Sequence, residues 1–405
     1  MSAYFDLIKR RPAFRTLWIG EMVSQLGDWL SYVAISLLAM AHGPGEGALA
    51  LALVLAAHSL PHAVLAPITG PLADRFDRRS LLLSTHIGQA ALTVAMLLSM
   101  HNLVALELLL VVRTSLSAVD WPVRTAAVAQ VVDSDELLTA NALSTATWSM
   151  TFAIGMGFGG ALALLGPGPA LALDSATFLL AAGLVSLLPP LPAPGHQNRS
   201  SVPLSTAVAD RRILRAVLAK TPTAVAGGGG LVLLNLISAE SAFVGAAGLT
   251  LGLLQTVKGV GTGFGPTWVR HRIDAGADHG TVWALSILGT FTGIAVFTAS
   301  SGPMGWLAGS LIWGMGSGAN WVLSTTELQR HAPPSHLGKL SALDALTMTL
   351  GLSVAAIVGG LLVEITGIGA LAAWPALGTA LLMFAGLWIA TSTSANRSLS
   401  LARGA

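Results

Sequence analysis

The chain has no cysteine among its 405 residues, which excludes disulfide bridges and thiolate metal sites. It is also poor in charge, because only 10% of its residues are Asp, Glu, Lys or Arg, against roughly 25% in soluble globular domains. A phosphate-binding loop of the Gly-x-x-x-x-Gly-Lys-Ser/Thr type is missing, so ATP is not expected to supply energy. No Ser/His/Asp arrangement lies outside the apolar runs. We therefore predict a protein that is not an enzyme and that has no cofactor.

Apolar residues dominate the composition. Hydrophobic side chains make up 53% of the chain, and the mean hydropathy is +0.72. Glycine is frequent, with 45 residues, as in membrane helices that pack closely. The net charge of +2 is too small to indicate a nucleic-acid partner. We predict an all-α membrane protein whose surroundings are a lipid bilayer.

Apolar runs of about 20 residues, each long enough to cross a bilayer, follow one another along the chain. They predict twelve transmembrane spans, numbered here in chain order, near residues 16–41, 48–72, 80–100, 103–125, 140–165, 169–189, 215–238, 242–267, 281–300, 304–326, 339–363 and 369–391. The longest break is rich in Pro, Ser and Arg and divides the spans six and six. This break predicts an N-terminal six-helix bundle over 1–189, a cytoplasmic linker over 190–212 and a C-terminal six-helix bundle over 213–405.

Short motifs recur about half a chain apart. Gly70-Pro71 is echoed by Gly265-Pro266, and Gly159-Gly160 is echoed by Gly359-Gly360. Such weak internal symmetry indicates two related six-helix bundles, an architecture typical of transporters.

The basic residues indicate the orientation of the chain. Lys and Arg occupy the segments that lie on the same side as the N-terminus, and the six opposite loops hold none. Arg113, Lys220 and Lys258 are the exceptions, inside or near the ends of spans. Because basic loops stay in the cytoplasm, we expect both termini to be cytoplasmic.

The loop between spans 2 and 3 carries the most specific motif, Gly70-Pro-Leu-Ala-Asp-Arg-Phe-Asp-Arg-Arg79. It resembles the signature Gly-x-Leu-Ala-Asp-Arg-x-Gly-Arg-Arg of the major facilitator superfamily, with Asp77 in place of the usual glycine. The resemblance implies a conformational latch that joins the cytoplasmic ends of spans 2 and 11 in the outward-facing state. Its residues would be Gly70, Asp74, Arg75, Arg78 and Arg79. The alternative is that these charges only enforce the topology.

Other segments extend the resemblance to the whole chain. Gly155, Gly159 and Gly160 in span 5 resemble the antiporter motif Gly-Pro-x-x-Gly-Gly, with Met156 in place of proline. The segments 24–29 and 137–142 resemble the subgroup of bacterial drug, macrolide and siderophore exporters. The resemblance implies a multi-pass protein of the bacterial inner membrane, and we expect a monomer.

Several polar side chains lie inside the predicted spans. A charge at the bilayer centre costs about 2.5–3.5 kcal/mol on insertion scales, so each must face a cavity or a partner. Span 1 carries Glu21, Gln25, Asp28 and Tyr32 on one helical face, and span 4 carries Arg113 near its middle. The resemblance implies that both spans line a central cavity. We interpret Asp28, Glu21 and Arg113 as a protonation switch that couples protons to transport. The alternative is a static network that holds spans 1 and 4 together.

Further polar and aromatic residues are candidates for binding a small-molecule substrate. They are Gln25, Tyr32, Ser117, Lys258, Gln255, Asn320 and Trp313. Lys258 would contact an anionic or carbonyl-bearing substrate, unless it snorkels or pairs with a carboxylate of the N-terminal half. His58 and His62 lie one helical turn apart and are weak candidates for a metal, which would need Asp28 as a further ligand.

We therefore expect a secondary transporter of the major facilitator type. The favoured activity is proton-coupled efflux of an amphipathic small molecule, of the drug or siderophore type, by alternating access. A lysolipid or lipid flippase and a divalent-metal exporter are alternatives on the same fold. An alternative of another class is a receptor or scaffold that transports nothing.

Overall fold

A computed structural model of the protein describes residues 2–42, 47–73, 75–133, 136–192, 210–332 and 337–366. These ranges are helical almost throughout and contain no strand. Their α-helices are α1 (Ser2–Arg10), α2 (Pro12–His42), α3 (Ala48–Ala73), α4 (Arg78–Leu98), α5 (Leu103–Val131), α6 (Leu137–Leu162), α7 (Pro167–Ser186), α8 (Arg211–Leu218), α9 (Thr221–Ser241), α10 (Ala247–Asp274), α11 (His279–Ala299), α12 (Pro303–His331) and α13 (Leu337–Thr366). A short 3₁₀ turn, Ala163–Leu165, extends α6.

The helices match the predicted spans closely in position. Within the described ranges, eight helical stretches are long and apolar enough to cross a membrane. Three more helices, α5, α10 and α12, coincide with predicted spans 4, 8 and 10 but are more polar or richer in glycine. Predicted span 12, near 369–391, lies outside the described residues. In a membrane, helices of this length satisfy their own backbone hydrogen bonds.

Two local features differ from the prediction. The N-terminal segment forms the separate helix α1, and Arg11, just after it, contacts Asp133 and Glu136 in the α5–α6 connection. Predicted span 7 is divided into α8 and α9, because Pro222 in the first turn of α9 has no backbone N–H and favours a helix start.

Polar side chains mark several helix starts. Asp77, Asn102, Asp210 and Asp278 each accept a backbone N–H in the first turn of the helix that follows. Such caps satisfy amide groups that have no partner within the helix. They place short turns where the apolar runs are interrupted.

The same packing pattern occurs in both halves of the described chain. In the N-terminal half, α2 packs on α6, α3 on α5, and α4 on α5. In the C-terminal half, α9 packs on α13, α10 on α12, and α11 on α12. These pairs correspond under the internal symmetry predicted from the sequence.

The two halves meet chiefly through two helix pairs, α3 with α13 and α6 with α10. The hydroxyls of Ser59 and Ser353 lie 2.9 Å apart, and a Cβ on Gly360 would lie 2.7 Å from Ala52. On the other pair, Gly160 packs against the backbone of Gly248 and Gly252. These contacts extend from the middle of the helices, where Ser59 and Ser353 lie, toward the ends that are remote from the start of α2.

Side chains nearer the start of α2 are more accessible. On α3, Val64 and Ile68 are 59% and 58% exposed. On α6, Trp148 is 36% exposed. The described halves are thus closed against each other at one end and more open at the end that carries the N-terminus.

Candidate functional site

The centre of the N-terminal half holds one guanidinium between two carboxylates. Arg113 of α5 donates from Nη2 to Asp28 of α2 at 2.5 Å and from Nη1 to Asp174 of α7 at 2.6 Å. Arg113 and Asp174 are buried, whereas the side chain of Asp28 keeps 24% of its surface accessible. Thr93 lies 3.4 Å from Nη1, and the Phe178 ring lies below the guanidinium at 5.6 Å. We call Asp28, Arg113 and Asp174 the central triad.

The structure brings Asp28 and Arg113 together, as their mid-span positions suggested. It adds Asp174, which the sequence analysis did not select. The sequence carried a signal for it, because Asp174 is the one charged residue in predicted span 6. An acidic residue inside a span requires a partner or a cavity.

A second polar cluster lies closer to the start of α2. Arg124 contacts Glu21 at 3.6 Å and Asp120 at 3.4 Å. Glu21 also accepts hydrogen bonds from Gln25 at 3.0 Å and from Ser144 at 3.3 Å. Here too one arginine faces two carboxylates. Glu21 is therefore held in a network of its own, apart from the central triad.

A cluster of aromatic rings from α2, α3 and α6 lies next to Asp28. The Trp29 ring, next to Asp28 in the chain, lies 4.8 Å from the Phe152 ring, and Trp148 stacks on Phe152 at 5.7 Å. Tyr32 and His58 contact each other at 5.5 Å and both border Trp29. Tyr32 is buried, so that its ring belongs to the wall of this cluster.

Lys258 of α10 joins this aromatic cluster to the C-terminal half. Its Nζ lies 5.5 Å from the Phe152 ring centre and 4.8 Å from the Trp313 ring centre, which are cation–π distances. The expected alternative, a carboxylate partner from the N-terminal half, is not present among the described residues. Trp313 is buried and packs on Gly230 and Gly293.

The remaining substrate-binding candidates lie in different surroundings. Gln255 is buried one turn from Lys258, and its Oε1 has no hydrogen-bond partner in the described part of the chain. Asn320 donates to Ala219 O and Thr223 Oγ1 and accepts from Trp283 Nε1 at 2.7 Å. Its amide thus joins helices within the C-terminal half.

Gln25 bridges Glu21 and Thr151. Ser117 is half-buried on α5.

The weak metal candidates His58 and His62 are both partly buried on α3. In the residues that the structure describes, no group of three or more His, Asp or Glu side chains could hold a metal ion.

The glycines of α6 divide between two neighbours. A Cβ on Gly155 would lie 2.6 Å from Trp29 Cβ, and one on Gly159 would lie 3.0 Å from Leu30 O, so both face α2. Gly160 faces α10 across the boundary between the halves. The small-residue surface predicted for span 5 therefore allows close helix approach on two sides.

The predicted latch is only partly described. Gly70 lies in α3, Arg75 is exposed, and Asp74 lies outside the described residues. Arg78 donates to Ala126 O at 3.2 Å, and Arg79 donates to Ser186 O at 2.6 Å. These two arginines contact the ends of α5 and α7, within the N-terminal half.

Asp77, where the motif usually has glycine, caps α4. Desolvation opposes its ionisation, but hydrogen bonds from the Ser80 amide and hydroxyl and from the Leu191 amide, with nearby Arg79, lower the pKa of this carboxyl below its ordinary value. The charged form of Asp77 thus joins the start of α4 to the chain beyond α7.

Comparison with known proteins decides the family. The protein-family model described as Major Facilitator Superfamily matches residues 17–265, which is more than half of the chain. The chain belongs to the major facilitator superfamily. It is therefore a multi-pass membrane transporter and not an enzyme, and the predicted family and fold are confirmed.

Curated relatives include exporters of this superfamily. The enterobactin exporter EntS of Shigella boydii serotype 18 (strain CDC 3083-94 / BS512) is 28% identical over 378 residues, which is 88% of this chain and 86% of that exporter. The uncharacterized MFS-type transporter YfiS of Bacillus subtilis (strain 168) is 29% identical over 184 residues. That alignment covers 45% of this chain and 44% of YfiS, less than half of the relative's length. These bacterial relatives imply the inner membrane.

Solved structures share the fold at low sequence identity. The nucleoside transporter NupG has a TM-score of 0.75 at 12% identity, covering 94% of this chain and 98% of NupG. A bacterial homologue of the iron transporter ferroportin, in an inward-facing state, has a TM-score of 0.72 at 14% identity, again covering 94% and 98%. At such identities the likeness concerns the fold alone.

Proposed function

We propose that this superfamily member exports an amphipathic small molecule, of the drug or siderophore type, in exchange for protons. The observation that carries the proposal is Arg113 held between Asp28 and Asp174 at 2.5 and 2.6 Å. One guanidinium cannot neutralise two carboxylates, so the triad has a net charge of −1 unless one carboxyl holds a proton. An unbalanced buried charge is costly, and binding a proton removes it.

Asp28 is the group that would exchange this proton. Its side chain is partly accessible, whereas Asp174 is fully buried. It also directly precedes Trp29 in the aromatic cluster, so that a bound substrate would lie close to the titrating carboxyl. A substrate that occupies the space beside Asp28 would then compete with the proton for this carboxyl, which is the requirement for antiport.

The arrangement of the two halves supports alternating access. With both termini in the cytoplasm, as the basic loops indicate, the closed end would be periplasmic and the cavity would open inward. We propose residues 1–189 and 213–405 as the two moving bundles, joined by a linker over 190–212, within a monomer. The latch of Gly70, Asp74, Arg75, Arg78 and Arg79 would engage α13 only after the cytoplasmic end closes.

Proton coupling is tested in proteoliposomes with an imposed pH gradient. Enterobactin and ethidium serve as the siderophore-like and the drug-like probe. Native protein should accumulate one of them uphill, and Asp28→Asn should abolish uphill transport while counterflow exchange of the same probe continues. Asp6→Asn, which changes an exposed carboxylate on α1, is the matched control. Undiminished uphill transport by Asp28→Asn would reject the coupling role.

A further inference from the structure

Lys258, which is partly buried on α10, differs in its contacts from three other cations inside the described chain. Arg113, Arg124 and Lys220 each contact at least one carboxylate, and Lys220 lies 2.5 Å from Asp344. Lys258 contacts no carboxylate among the described residues and is held by two ring faces instead. A cation inside a membrane span costs about 2.5–3.5 kcal/mol, which cation–π contacts of about 0.5–2 kcal/mol offset only in part.

A second donor near this cation also lacks a partner. The indole Nε1 of Trp29 is buried and donates to no acceptor in the described part of the chain. The Phe152 ring lies close to both groups. Its centre is 4.8 Å from the Trp29 ring centre and 5.5 Å from Lys258 Nζ. A buried N–H without an acceptor is uncommon in folded proteins, so this donor is available to an acceptor on a bound ligand.

The surroundings of these donors are aromatic and reach both halves. Trp29, Trp148 and Phe152 belong to the N-terminal half, and Trp313 belongs to the C-terminal half. Trp148 stacks on Phe152 and is 36% exposed, so that the ring cluster has an accessible face. A ligand that binds here would contact both halves, as a transported substrate must.

We propose that the substrate is an acidic aromatic compound whose anionic group binds Lys258 and the Trp29 N–H, while its ring packs among Trp148, Phe152 and Trp313. This assignment rests on the proposed function, whose substrate class it makes specific. The net negative charge of the central triad disfavours a second anion beside Asp28, so the acid group is directed to the Lys258 side.

Direct binding tests the assignment without any proton gradient. Purified protein in nanodiscs of neutral lipid is dialysed to equilibrium against 1-naphthoate, 1-naphthamide, 1-naphthylmethylamine and decanoate. The naphthoate should bind at least about tenfold more tightly than the amide, where tenfold corresponds to about 1.4 kcal/mol. It should also exceed decanoate, which has the acid group without the ring and represents a lipid-like acid.

Variants of Lys258 test whether this side chain causes the preference for the acid over the amide. Lys258→Gln should reduce the preference for naphthoate over naphthamide to within about twofold, and Lys258→Arg should keep most of it. Lys9→Gln removes an equal charge from the exposed face of α1 and should change nothing. Thermal unfolding of each variant shows whether it is folded. If Lys258→Gln does not fold, the preference measured for Lys258→Arg still tests the assignment.

Several outcomes overturn the assignment. These are equal binding of acid and amide, tighter binding of the amine or of decanoate, an unchanged preference in Lys258→Gln, and no binding of any probe. Failure of this substrate assignment can be distinguished from failure of the proposed function. A naphthoate preference without proton-driven transport would reject coupling alone, whereas proton-driven transport of neutral or cationic compounds would reject the substrate class alone.

Discussion

At the residue scale, the central triad depends on Arg113. Its two nitrogens bind carboxylates from α2 and α7, so one side chain of α5 joins three helices. Each carboxylate is acceptable in the interior because it shares this guanidinium. The triad is therefore a structural joint as well as the group to which we assign proton binding.

Replacing Arg113 with methionine should destabilise the protein by about 3–5 kcal/mol, because two buried carboxylates lose their counter-ion. The measurement is thermal and denaturant unfolding in detergent. The triple variant Arg113→Met/Asp28→Asn/Asp174→Asn should regain most of the loss, since no buried charge remains. Arg15→Met changes an exposed arginine of α2 and serves as control. A single variant as stable as the native protein would show that the triad does not carry this charge balance.

At the element scale, the start of α4 depends on Asp77. This carboxylate accepts from the Ser80 amide at 2.9 Å and from the Leu191 amide at 2.7 Å. It thus caps one helix and anchors the segment that follows α7. The position departs from the glycine of the superfamily motif and gives this loop a stabilising contact of its own.

Removing the cap by Asp77→Ala should cost about 0.5–2 kcal/mol of stability at pH 7, whereas Asp77→Asn should cost less because asparagine also caps helices well. The stability gap between the native protein and Asp77→Asn should also depend on pH. The folded-state pKa of Asp77 is lowered, so its ionised form contributes stability above about pH 4, and this contribution is lost as the pH falls through the folded pKa.

Unfolding measured between pH 7 and pH 3 for both proteins checks this dependence. Asp6→Asn, on an exposed face of α1, controls for the general effect of acid. A gap between native protein and Asp77→Asn that widens on acidification would contradict the role given to this carboxylate.

At the scale of the whole molecule, the contacts between the halves extend from the middle of the helices to one end. Ser59 of α3 and Ser353 of α13 form the hydrogen bond nearest the middle on one side, and Gly160 lets α6 approach α10 on the other. Alternating access requires these contacts to separate when the closed end opens.

The absence of cysteine allows a clean test of this motion. A Ser59→Cys/Ser353→Cys protein should form a disulfide on oxidation, because the two hydroxyls are 2.9 Å apart. The cross-link should abolish transport by holding the halves together, and a reductant should restore it. Each single variant is the matched control, measured with and without oxidant. Full transport by a protein shown to be cross-linked would exclude separation of α3 from α13.

Much of the fold could be predicted from the sequence, because few backbone structures can span a bilayer. Apolar runs of sufficient length must be helices there, and charged breaks must lie at the surface. Helix ends were less certain, since caps such as Asp77 and the Pro222 break depend on single residues. The family resemblance of the Gly70–Arg79 loop was specific because it rests on ordered charges between two apolar runs.

The sequence by itself determined the membrane class, the helical architecture, the twofold internal repeat and the family. It also identified Asp28 and Arg113, because a charged residue within an apolar run can be recognised without knowing the direction of its side chain. Only the tertiary structure decided the partners. Asp174, from a helix distant in sequence, shares Arg113, Asn320 joins helices of its own half, and Lys258 is left with aromatic rings alone. The reason is that helix rotation and packing determine whether a polar side chain meets a carboxylate, a neighbouring helix or the cavity, and residue spacing along one helix does not contain that information.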